Sequence, residues 1–197
     1  MNLIADKASS EHPERIYLIL LYMLLACGAT VGALYLVFRF GGSQDVKAWI
    51  DSYMSGISAG IDKRIVLINS IKSYSCVFAI FLVCSLFRMG AVIVAADIIR
   101  RGFITGFTAA AFIRFYGSKG ILMMLSSMAH MFIFLPACLI FAAMSCALAL
   151  KKIDKEKNFI LFYIIFSVII FAIFCAAAIC EGFLTTIFMK WAGNSFT

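Results

Sequence analysis

Long apolar runs separated by short polar stretches make up most of this chain. Ile16 to Phe38 carries no charge over 23 residues, enough to cross roughly 30 Å of hydrocarbon at about 1.5 Å per residue. Four more runs follow, so spans are expected over 16–38, 74–99, 102–116, 121–150 and 159–180. They are unequal. Gly102 to Tyr116 is short, whereas Ile121 to Leu150 as one helix would measure roughly 45 Å, well beyond the bilayer core. Pro136, near the middle of that run, removes a backbone hydrogen bond and predicts a kink or a break into two segments. The runs do not alternate with period two, as barrel strands would, so helices are the way to satisfy the backbone in lipid. The expectation is all-α: a polytopic transmembrane helical bundle of about five spans, one domain over 1–197.

The polar exception lies between the first two runs. Val46, Trp49, Ile50, Tyr53, Met54 and Ile57 recur at helical spacing, with Asp45, Lys47, Asp51 and Ser52 on the other face. A second stripe runs Ile61, Ile65, Ile68. Together they predict an interfacial amphipathic helix pair over 45–72, a candidate partner-facing surface. Lys190 and Trp191 suggest interface anchors in the tail. Leu24-Leu25-Ala26-Cys27 resembles a lipoprotein cleavage box, but the apolar run continues to Phe38 and the preceding residues carry no net positive charge. An uncleaved span is therefore expected.

Composition reinforces the membrane reading: 64% of the 197 residues are hydrophobic, too many for a soluble domain to cover with polar surface. The net charge of +7 belongs to loops that face anionic headgroups, because no basic cluster is interleaved with aromatics as nucleic-acid binding would require. With a cytoplasmic N-terminus and five crossings, Arg100-Arg101 and Lys151 to Lys157 lie inside. The C-terminus then lies outside. All seven cysteines sit within apolar runs without CxxC or His at zinc-ligand spacing. Neither disulfide, metal nor cofactor is expected.

Candidate chemistry is sparse, with no paired carboxylates, nucleophile–base pair or phosphate loop in view. Arg88, Asp97, His130, Pro136 and Glu181 are the candidate polar or structural residues within the apolar mass. Arg88 falls near mid-span, where an unpaired charge is costly, or marks a break beside Gly90. Asp97 lies near the span's end, within reach of Arg100 or Arg101. Ser126 and Ser127 share a helical face with His130. Gly28 with Gly32, and Gly102 with Gly106, are four apart and permit close helix packing. Internal packing is favoured over a homo-oligomer, which these motifs also permit.

Three segments resemble the stage II sporulation protein M family: Arg100-Arg101-Gly102-Phe103-Ile104-Thr105-Gly106-Phe107; Gly117-Ser118-Lys119-Gly120 through Ala129-His130 to Leu135-Pro136-Ala137; and Ala177-Ala178-Ile179-Cys180-Glu181 with Met189-Lys190. The resemblance extends over essentially the whole chain. It implies a multi-pass, non-catalytic scaffold of the mother-cell septal membrane in endospore-forming bacteria, working in engulfment with the peptidoglycan-degrading stage II sporulation proteins D and P. The wider membrane family often has Glu at the position of Phe134 and Gly at that of Met131, and the apolar Phe134 favours the sporulation branch. The alternative function, read from Arg88, His130 and Pro136, is a small membrane transport subunit.

Overall fold

The computed structural model describes residues 13–40, 44–58, 63–128, 130–150 and 157–185. Seven helices follow one another: α1 (Pro13–Phe40), α2 (Gln44–Ser58), α3 (Lys63–Cys84), α4 (Gly90–Tyr116), α5 (Ser118–Ser127), α6 (Met131–Ala149) and α7 (Lys157–Cys180). A π-helical turn, Glu181–Thr185, continues α7. Residues 1–12, the 151–156 loop, Lys190, Trp191, and the side chains of Trp49, Tyr53, Met54, Ile57, Ser126 and Ser127 lie outside the described residues.

Four helices are long and apolar enough to cross a membrane: Arg15–Phe40, Arg64–Cys84, Met131–Ala149 and Leu161–Phe183. Their outward faces are apolar, with Phe38 84%, Phe132 69% and Met23 68% exposed. Water would make such a surface an aggregation liability, and lipid makes it the natural exterior. These are the marks of a multi-pass membrane protein.

The boundaries differ from the hydropathy reading in four places. The polar segment is not a helix pair: α2 is one helix, and from Lys63 the chain already runs within α3, where Ile65 and Ile68 face outward. The expected span 74–99 is divided by a turn over 85–89, with Arg88 exposed in it, which relieves the mid-span charge. Here Ser85 Oγ donates to the Leu82 carbonyl at 2.6 Å, and Gly90 lies so close to the Cys84 backbone that a Cβ could not fit. Arg100-Arg101 ends nothing, because both side chains bond back to Asp97 within the same helix; 102–116 is the second half of α4. Finally, the overlong run breaks at 128–130 rather than at Pro136. Pro136 sits in the second turn of α6 with its ring exposed, close to the helix start, where missing N–H donors are best tolerated.

The five long helices alternate in direction. α1 and α4 run parallel, since Gly28 meets the backbone of Ile99 while Gly32 meets that of Phe103. α3 and α6 run parallel to each other: Tyr74 stacks on Phe134 and Phe78 on Phe141. α7 opposes both, with Phe174 against Tyr74 and Tyr163 against Phe141. The helices α2 and α5 therefore lie at the same end of the bundle. Ile50 of α2 is buried there with Leu36, Ala111 and Phe112, and Tyr116 donates a hydrogen bond to Asp51. Gly117, at φ 60°, makes the reversal from α4 into α5.

The α1–α4 seam is the tightest contact. Each of Gly28, Gly32, Gly102 and Gly106 faces backbone of the opposite helix at a distance that excludes a Cβ. Both small-residue pairs are thus spent on a single internal interface. We predict that Gly106→Val, whose side chain would collide with the Ala29 carbonyl, costs about 1–3 kcal/mol or more through overpacking. Thermal unfolding in detergent micelles should register this as a clear fall in midpoint, with Gly117→Asn, at the open turn, as the milder comparison.

Candidate polar site at mid-height of the bundle

In helix α4 the spacing Asp97-x-x-Arg100-Arg101 places both guanidinium groups one turn beyond the carboxylate. Arg100 Nη2 lies 2.8 Å from Asp97 Oδ1, and Arg101 Nε lies 2.7 Å from Asp97 Oδ2. Asp97 thus serves two cations, of which Arg101 is largely buried (13% exposed) and Arg100 largely exposed (60%). Arg101 is about 16 Å from Gly90 and 22 Å from Tyr116 along the helix axis. The charges therefore sit deep along α4, not at an end as the apolar pattern suggested.

From Arg101 the polar layer crosses to three other helices. Its guanidinium carbon lies 5.1 Å from the centre of the Phe134 ring, within cation–π range. Phe134 is fully buried and stacks on Tyr74, with ring centres 4.2 Å apart and planes 18° from parallel. The Tyr74 hydroxyl donates to Glu181 Oε2 at 2.7 Å. Glu181 Oε1 lies 4.0 Å from His130 Nε2, an electrostatic contact too long for a hydrogen bond. His130 is buried, and its Nδ1 has no hydrogen-bond partner among the described residues.

Local breaks in the helices make this convergence possible. His130 sits in the interruption between α5 and α6, where the backbone changes course. Glu181 opens the π-turn that follows α7, and Gly182 packs against Leu67 of α3. Helix interruptions and π-turns redirect side chains that a regular helix would aim elsewhere.

Of the polar residues singled out from sequence, Asp97, His130 and Glu181 share this layer. Arg88 is in the exposed turn at the opposite end, and Pro136 faces outward. Tyr74 and Arg101, the two members that connect the others, were not among the sequence candidates. The i, i+3 and i, i+4 spacing around Asp97 carried the signal for the arginines. Tyr74 had no such signal, because its partner lies 107 positions away.

No family model, curated protein or solved structure matches this chain. The chemistry must be read from the side chains themselves. A carboxylate held by two guanidinium groups, and a second one shared between phenol and imidazole, can hold protons or grip an anion. Among the described residues, no group of three His, Cys, Asp or Glu side chains could hold a metal ion.

Tyr74→Phe removes the hydroxyl that satisfies Glu181 and should cost about 1.5–3 kcal/mol, the usual range for a hydrogen bond to a charged group. A cycle with Glu181→Gln in chemical denaturation should show coupling of roughly 1 kcal/mol. Additive effects would mean that the two groups do not act together. Phe134→Ala should cost more, about 3–5 kcal/mol, since it leaves a cavity beneath both Tyr74 and Arg101.

Proposed function

We propose that this chain is a five-crossing, non-catalytic membrane scaffold. In this reading α4 is the fifth crossing, its deep charges tolerated because each has a partner within the bundle. The N-terminus is cytoplasmic, and α2 and α5 lie on the extracytoplasmic side. The resemblance to the stage II sporulation protein M family supplies the partners, the peptidoglycan-degrading proteins D and P. It also supplies the place, the septal membrane of the mother cell during engulfment.

The observation that carries this reading is the placement of α2. Buried Ile50 anchors it to the bundle, while Asp45 and Lys47 are exposed. A fixed helix with a charged outer face suits the docking of a partner in the aqueous layer. The loss of Arg100-Arg101 from the loops leaves orientation resting on Arg88 and the basic 151–157 segment at the α1 N-terminal end. The α2 end carries basic residues too, so orientation needs its own measurement.

In an endospore-forming host, deletion should arrest engulfment, and both hydrolases should co-purify with the wild-type chain. Charge reversal with Asp45→Lys and Lys47→Glu should sharply reduce that recovery while leaving membrane insertion intact. Normal engulfment in the deletion strain would refute the proposal. For orientation, an impermeant thiol reagent should label a cysteine placed at position 47 from outside the cell.

The mid-height polar layer favours a second reading, a small transport subunit. It predicts flux in proteoliposomes that is lost in Arg101→Ala and His130→Ala and retained in Arg88→Ala. Absence of flux with the wild-type protein would dismiss it.

A further inference from the structure

A groove of about 520 Å³ opens between α3, α4 and α6 beside the polar layer. Its two ends differ in chemistry. Toward the end of the bundle that carries α2 lie Asn69, Lys72 and Arg100; toward the other end lie Val77, Ile80 and Leu135. Asp97 and Arg101 complete the polar wall, so three cations meet one carboxylate, a balance of 3 − 1 = +2. Arg100 and Lys72 are both exposed, and their charges lie below the helix ends, where a cation without a counter-charge is expensive.

We infer that this groove holds an anionic phospholipid, its phosphate between Lys72 and Arg100 and an acyl chain along Val77, Ile80 and Leu135. The order of the lining argues for a lipid rather than a free anion. A lipid in the leaflet on the α2 side points its headgroup toward that end and its chains toward the midplane, the same polarity as the groove. Lys72 lies eight residues below Arg64 in α3, about 12 Å, so the headgroup is drawn inward from the surface. The lysine and arginine stems flank the chain while their charged heads meet the phosphate. Asp97, held by both arginines, keeps Arg100 directed at the groove. A second groove of about 470 Å³, lined by Phe78, Leu82, Tyr163 and Phe171 among others, has no charged side chain in its lining and does not distinguish headgroups.

Native mass spectrometry of the detergent-purified chain, titrated with phosphatidylglycerol and with phosphatidylcholine, tests the assignment. One phosphatidylglycerol should be retained in preference to phosphatidylcholine. In Lys72→Ala with Arg100→Ala its affinity should fall roughly thirtyfold, from the loss of two headgroup cations. Ile80→Trp should also weaken retention, by filling the chain end without changing charge. Both variants are compared with wild type only where they elute as monodisperse species of native helicity, and Ile80→Trp, at the groove's rim, keeps the test alive if the double variant misfolds. Arg88→Ala, outside the groove, should bind as wild type does. Equal retention of the two lipids, or retention unchanged by either groove variant, overturns the inference. Displacement of the lipid by millimolar inorganic phosphate also overturns it, in favour of a free-anion site.

Discussion

Inside a bilayer, two helices gain little by hiding apolar side chains from one another, since lipid is as apolar as leucine. What holds α1 to α4 must be closeness itself. Four glycines bring the two backbones within reach over a full helical turn and more, and dispersion acts most strongly at such short range. The remaining helices are arranged around this pair. α6 packs against both, and α3 and α7 complete the polar layer from the other side.

That seam also bears on how α4 carries three charges. One face is occupied by α1, so Asp97 and the arginines fall on the sides that look toward α3 and α6. There Phe134 supplies a ring for Arg101, while Asp97 neutralises part of the charge. A buried ion pair is not by itself a gain in stability. Its value here is positional: it fixes Arg101 over the ring that also stacks on Tyr74.

Much of the architecture was legible in the sequence, because apolar runs and helical periodicity are local signals. The all-helical fold, the multi-pass character and α2 as far as Ser58 followed from them. Boundaries were less legible. Arg100-Arg101 looked like a loop because isolated charges usually end spans, and the pairing that keeps them in the helix depends on Asp97 three and four positions earlier. The break at 128–130 escaped notice because Pro136 is the louder signal. Of the polar layer, its individual acids and His130 stood out, but their meeting did not. It depends on contacts such as Tyr74 with Glu181, which hydropathy cannot encode.

The parallel arrangement of α1 and α4 has a consequence for biogenesis. Gly28 and Gly102 are separated by 74 positions (102 − 28), as are Gly32 and Gly106. At about 5–20 residues per second of synthesis, α1 waits roughly 4–15 s before its partner exists. It cannot close against the next crossing, α3, which runs the opposite way and lacks that glycine face. The first helix to enter the membrane thus stays incompletely packed until the third crossing arrives, and the quality-control machinery meets the chain in that interval.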